Sequence, residues 1–194
     1  QWSLVALAGP ANRQGRIAAD VIAGRTARFR GAQGTSIIGL FGGAAAWSGA
    51  SEKTLARLGD TDYEKIYLFP NSHAGYYPGA KMIGLKVLFR KSDGRLLGAQ
   101  AVGLDGPAVD KRISALAVAI QMGATVYDLE EAELCYAPQF GSAKDAVNFA
   151  GMVAADVLHG DMPLAHWSDA DGAFLLDVRQ PVELVVESVA GAVN

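Results

Sequence analysis

The chain has a single cysteine, Cys135, among 194 residues. One thiol excludes an intrachain disulfide, a two-cysteine redox pair and a cysteine-based zinc site within this sequence. An excess of one charge is lacking too: 17 Lys and Arg stand against 20 Asp and Glu, giving a net charge of -3 and a pI near 5.6. With no basic run longer than a few residues, nucleic acid is not an expected partner. No apolar run is long enough to cross a bilayer, and residues 1–9 have no basic leader of the secretory kind. Neither a membrane nor a structural metal is therefore expected, and a reducing cytoplasm is the expected compartment. The absence of an initiator Met points to a piece of a longer protein, and there is no internal repeat or low-complexity block.

What is present is a chain 51% hydrophobic and 19% charged, enough for one packed domain and a second small or partial one. Residues 11–23 carry Ala18, Ala19 and Ile22 at helical spacing, with Pro10 tolerable in a first turn and Gly24 as a stop. Residues 35–41 are rich in strand formers and run into Gly42-Gly43 and the small residues Ala44-Ala45-Ala46. A short helix over residues 51–58 has Ser51 as its cap. Three strands are expected over residues 65–69, 82–90 and 95–102, the last two joined by the hairpin signal Ser92-Asp93-Gly94.

Residues 109–122 give the clearest helix, with Ile113, Leu116, Ala117 and Ile120 on one face, Asp110, Lys111 and Arg112 near its start and Gly123 at its end. A shorter helix is expected over residues 126–131 and another over 142–158, the latter opened by Ser142 and Asp145 as a pair resembling a capping box. Polar residues 160–172 read as a linker, and residues 174–178 as a new buried strand. Strands followed by helices predict an α+β domain with an antiparallel sheet flanked by helices.

Three segments together resemble the coenzyme A-disulfide reductases, a branch of the FAD-dependent pyridine nucleotide-disulfide oxidoreductases. They are Leu7-Ala8-Gly9-Pro10-Ala11-Asn12-Arg13, His73-Ala74-Gly75-Tyr76-Tyr77-Pro78-Gly79 and Leu134-Cys135-Tyr136-Ala137-Pro138-Gln139-Phe140-Gly141-Ser142-Ala143-Lys144-Asp145. A fourth, Leu175-Leu176-Asp177-Val178-Arg179-Gln180-Pro181-Val182-Glu183, resembles the opening of a rhodanese-like domain. The resemblance implies the end of an FAD-binding domain over residues 1–33, a dimerisation domain over 34–160, and a linker with an incomplete α/β rhodanese-like segment over 161–194. Two departures stand out: Ala146 where proline is expected, and a stretch unusually rich in Gly and Ala over residues 42–47.

The resemblance further implies a homodimer that uses FAD and NAD(P)H to reduce coenzyme A disulfide, persulfide or polysulfide. Tyr76 and Tyr136 are the implied catalytic residues, since a phenol can donate a hydrogen bond to a departing thiolate. Tyr76 is placed at the coenzyme A sulfur and Tyr136 at the flavin and the redox cysteine. Asn12 and Lys144 are implied substrate contacts, Lys144 toward a phosphate with the help of a helix dipole. Leu7, Ala8 and Pro10 are implied to lie against the isoalloxazine ring. The redox cysteine and the Gly-rich dinucleotide loops are not among these residues, so the isolated fragment is expected to be inactive.

Each assignment has a plainer alternative. Tyr76 and Tyr136 stand near Pro78 and Pro138 and also fit turn anchors, and Lys144 fits an ordinary exposed lysine. Cys135 lies between Leu134 and Tyr136 with no adjacent base, so a buried, inert thiol is expected. His73 is left outside the catalytic set. Asp177 and Arg179 are expected to brace their loop, and a persulfide-carrying cysteine is not among the residues that follow. The competing functions are an NADH oxidase or peroxidase of the same fold, and a non-catalytic dimerisation module. A dimer is expected on the further ground that the helices over residues 109–122 and 142–158 leave apolar faces.

Overall fold

A computed structural model describes residues 4–104 and 107–194. Helix α1 (Ala8–Ile22) leads by an irregular stretch to strands β1 (Ser36–Leu40) and β2 (Gly43–Gly49). Helix α2 (Glu52–Leu58) precedes β3 (Glu64–Leu68), β4 (Ile83–Phe89) and β5 (Leu96–Leu104). Helices α3 (Pro107–Met122), α4 (Val126–Glu130) and α5 (Ala146–His159) follow, then a 3-10 turn at Trp167–Asp169 and α6 (Pro181–Leu184). The strands form one antiparallel sheet in the order β1-β2-β5-β4-β3. This is the α+β architecture that the sequence predicts.

Local chemistry explains most boundaries. Ser51 caps α2 by accepting from the Thr54 N–H at 3.3 Å, and Gly59 ends it in the left-handed conformation. Between β4 and β5 the Arg90 carbonyl accepts from the Gly94 N–H at 2.9 Å, with Gly94 at a φ of 71° that a side chain would resist. Asp93 tightens the turn by accepting from the Arg95 N–H at 2.9 Å.

One face of the sheet carries the core. Ile83, Leu85 and Val87 of β4 pair with Gly103, Ala101 and Ala99 of β5, and all but Gly103 are buried. Val109, Ile113 and Leu116 of α3 cover this face, as do Val147, Ala150 and Ala154 of α5. Each large apolar side chain buried there contributes about 1.5–3 kcal/mol. Helices α4 and α5 approach closely at Gly151, where a Cβ would lie 2.4 Å from the Glu130 nitrogen. On the opposite face Ile38, Ala45, Val102 and Gly84 form an apolar row across four strands, beside the polar pair Lys86 and Gln100.

The structure corrects several expectations. Helix α1 begins three residues earlier than predicted, at Ala8. Strand β2 replaces the unassigned small-residue run, and the chain reverses into it through Phe41 and Gly42 at φ angles of 50° and 77°. Two successive positive φ values make the type of hairpin turn that matches strand twist, but with phenylalanine where asparagine or glycine is usual. Helix α5 begins at Ala146 and is capped by Asp145, whose Oδ1 accepts from the Val147 N–H at 3.2 Å; Ser142 takes no part in that cap.

Residues 174–178 do not form a buried strand. A single parallel bridge joins Leu176 to Val193, and Phe174, Leu176 and Val178 are exposed, since no layer covers them among the described residues. Asp177 and Arg179 do brace this loop: the guanidinium grips the carboxylate at 2.6 Å and reaches the Glu187 carbonyl at 3.0 Å. The unpartnered apolar surface lies only partly where it is expected. The buried residues of α5 face the core, α3 exposes Val118 and Met122, and more is exposed on β1 and the outer sheet face.

Candidate functional site

Tyr76 lies in the loop between β3 and β4. Its base is closed by the Ser72 N–H donating to the Lys81 carbonyl at 2.7 Å and the Ile83 N–H donating to Pro70 at 2.9 Å. His73 pins the interior through both ring nitrogens, with Nδ1 3.1 Å from Ser72 Oγ and Nε2 3.3 Å from the Pro78 carbonyl, and its ring meets Tyr77 edge-on. Both of its ring nitrogens thus have partners within the loop. Tyr136 lies in the loop between α4 and α5, directly before a turn in which Phe140 and Gly141 donate to the Ala137 carbonyl at 2.9 and 3.1 Å.

The loops are joined through one backbone group. The Ala74 N–H donates to Gly141 at 2.9 Å and to Pro138 at 3.2 Å, and Ala74 itself is buried. Above this junction the hydroxyls of Tyr76 and Tyr136 lie 3.2 Å apart, hydrogen-bonded, while their rings are 78% and 47% exposed. Tyr76 is thus mostly in solvent and Tyr136 is half covered. The bond to Tyr76 is the main reason the Tyr136 phenol is held above the ordinary tyrosine range, with desolvation adding to it. At neutral pH both phenols are neutral, and each has one proton to donate.

Beneath the loops is a buried ion pair. Arg112 of α3, 1% exposed at its side chain, donates through Nε at 3.2 Å and NH2 at 2.7 Å to Asp145. The remaining guanidinium nitrogen donates to the Ala108 carbonyl at 3.1 Å. Lys111, one residue earlier, donates from Nζ to the Phe140 carbonyl. Burial first, and the Arg112 charge second, hold the Lys111 ammonium below the ordinary lysine range. Sequence reasoning missed these roles. The available signal was two basic residues in the first turns of α3, where the helix dipole disfavours cations that lack a partner.

The other predicted residues are dispersed. Lys144 is exposed immediately before the α5 cap, its ammonium 5.6 Å from the centre of the Phe149 ring. Asn12 is exposed on α1 and donates back to the Ala8 carbonyl at 3.1 Å. Leu7 is the N-cap of α1, with Ala8 and Pro10 in the first turn. Cys135 is exposed, contrary to the expected buried thiol: Leu134 turns partly inward against the core and the cysteine beside it faces out. Among the described residues no group of His, Cys, Asp or Glu is placed to hold a metal ion.

Residues 39–147 match the family described as pyridine nucleotide-disulphide oxidoreductase, dimerisation domain, which is more than half of the chain. The chain belongs to this family. The chain is 37% identical over 151 residues to a coenzyme A disulfide reductase of Staphylococcus epidermidis, covering 77% of the chain and 33% of that protein. It is also similar to the reduced CoADR-RHD of Bacillus anthracis, with a TM-score of 0.93 and 42% identity over 99% of the chain and 35% of that structure. Against an NAD-dependent persulfide reductase from A. fulgidus the TM-score is 0.88 and the identity 33%, covering 98% of the chain and 35% of that structure. The chain thus spans about a third of the length of these relatives.

Proposed function

We propose that this chain is the carboxy-terminal part of a homodimeric FAD- and NAD(P)H-dependent reductase of coenzyme A disulfide, persulfide or polysulfide. It supplies the dimer interface and two active-site tyrosines. The observation that carries this reading is the hydrogen-bonded, solvent-facing pair Tyr76 and Tyr136 on two loops fastened to each other. The relatives named for coenzyme A disulfide and for persulfide support the substrate class.

Two adjacent phenols can give hydrogen bonds to a sulfur that gains negative charge as a disulfide opens, which eases departure of the thiolate. Each phenol has one proton, so the bond between them opens as sulfur binds, and Tyr136 then donates at the redox sulfur and Tyr76 at the coenzyme A sulfur. Lys144 and Asn12, both exposed, are available to a phosphate and to polar substrate groups. The start of α1 suits the edge of a flavin, because its first-turn N–H groups meet no side-chain cap and the first turn has no acid. FAD, reduced by NAD(P)H, supplies the electrons.

The exposed apolar residues of β1, of the turn that follows it and of the outer sheet face, Ile37, Leu40, Phe41 and Val102, suit an interface with a second copy or a neighbouring domain. The domain limits at residues 33 and 160, the rhodanese-like reading of residues 161–194 and a cytoplasmic location belong to the same proposal. The test is anaerobic turnover of the complete flavoprotein with NADH or NADPH against coenzyme A disulfide, coenzyme A persulfide, polysulfide and peroxide, followed by oxygen as acceptor. Preferential reduction of the sulfur substrates is expected. Preference for oxygen or peroxide would transfer the chain to the oxidases, and no turnover with any acceptor would leave a dimerisation module.

A further inference from the structure

We propose that Lys111 is a positioning residue that holds the Tyr136 loop against the Tyr76 loop and so sets the contact between the two phenols. This rests on the reading that the tyrosines act on substrate sulfur, and it goes beyond it by naming a residue on another element that fixes their geometry.

The turn that follows Tyr136 directs the Ala137 carbonyl inward to two N–H groups, which leaves the Phe140 carbonyl at its far end without a backbone partner of that kind. The Lys111 ammonium fills that position. The next residue, Gly141, lies at the centre of a charged enclosure. A Cβ there would be 3.4 Å from Asp145 Oδ2, 3.7 Å from Lys111 Nζ and 3.9 Å from Arg112 NH2. Gly141 in turn accepts from Ala74, and the Ala74 carbonyl accepts from the Tyr77 N–H at 2.9 Å. A continuous set of bonds therefore runs from α3 through the turn after Tyr136 to the turn that carries Tyr76.

Arg112 cannot serve in this way, because its fork is committed to Asp145 and Ala108. It forms the floor. Lys111 lines a cavity of about 280 Å³ together with Ser72 and His73 from one loop and Gln139 and Phe140 from the other. A carbonyl held by a charged donor is restrained more strongly than one held by a neutral group. Loss of the ammonium frees the end of the turn, and Tyr136 at its start then moves relative to Tyr76.

The test uses the complete flavoprotein in Lys111→Met and Lys111→Arg forms, with Lys111→Gln as a neutral donor that keeps a hydrogen bond in reach of Phe140. The primary readout is the titration of the Tyr136 ring by NMR, assigned by its loss in Tyr136→Phe. In Lys111→Met the Tyr136 titration is expected to move down toward that of a free tyrosine, and kcat for the sulfur substrate to fall about tenfold with little change in KM. Lys111→Arg restores both, and Lys111→Gln lies between. An unchanged Tyr136 titration in folded Lys111→Met or Lys111→Gln overturns the proposal. The titration needs no substrate, so it decides the role of Lys111 even if Tyr76→Phe leaves sulfur reduction intact and the functional reading fails.

Discussion

The hydroxyls of Tyr76 and Tyr136 meet at 3.2 Å across sixty positions of sequence. Because the bond to Tyr76 is the first cause of the raised Tyr136 pKa, Tyr76→Phe should lower the Tyr136 titration, measured by phenolate absorbance or NMR. The sign of the stability linkage follows from the direction of the shift. The neutral form of Tyr136 is favoured in the fold, so its contribution is fully present below the ordinary tyrosine pKa and is lost as pH rises through the elevated one. Tyr76→Phe should therefore flatten the loss of stability at alkaline pH.

The buried pair Arg112 and Asp145 joins α3 to the start of α5, and Asp145 also caps that helix. Removing one partner leaves the other charge buried without compensation. Arg112→Met or Asp145→Asn should each lower stability by about 3–5 kcal/mol. Urea unfolding of the complete protein checks this, and a cost below about 1 kcal/mol would assign the pair no more than a surface bridge contributes.

Gly151 sets how closely α5 approaches α4. A methyl group there would lie 2.4 Å from the Glu130 nitrogen and 2.8 Å from the Leu129 carbonyl carbon, both backbone atoms that no rotamer can move. Gly151→Ala should destabilise by about 1–3 kcal/mol despite the better helix propensity of alanine. Differential scanning calorimetry gives the sign directly, and an increase in Tm would mean that the two helices separate at little cost.

Thr125 and Asp128 form a reciprocal cap at the start of α4, with the Thr125 N–H and hydroxyl both donating to Asp128 Oδ2 at 2.7 Å. The Thr125 backbone bond first, and its hydroxyl second, hold the Asp128 carboxyl below the ordinary aspartate range. Its stabilising effect is present above the unfolded aspartate pKa and is lost as pH falls through the lowered folded value. Asp128→Asn should therefore be less stable at neutral pH and converge on the unsubstituted protein in acid, as followed by circular dichroism.

Much of the fold was legible where local signals agreed. Helix α3 follows from the spacing of Val109, Ile113 and Leu116, and the β4–β5 hairpin from Ser92-Asp93-Gly94. Strand β2 was hidden because its turn places Phe41 at a positive φ, and because a run of alanines carries no strand preference. Residues 174–178 show the limit of apolar patterning: whether such a run is buried depends on what packs against it. Of the site, Tyr76 and Tyr136 were legible through their motifs, but not as a bonded pair. Lys111 and Arg112 were not legible, and Asp145 only as a helix cap, since the contacts that join them to the site lie 29 to 33 residues away in sequence.

The central claim is that the two phenols work at the sulfur. The most direct measurement is anaerobic rapid-mixing of the complete flavoprotein with NAD(P)H and coenzyme A disulfide, comparing the unsubstituted protein with the Tyr76→Phe, Tyr136→Phe double variant. Flavin reduction should keep its rate, while the disulfide step slows by about 10- to 100-fold, the equivalent of one charge-assisted hydrogen bond. An unchanged disulfide step would contradict the account and return both tyrosines to the surface of the dimerisation domain.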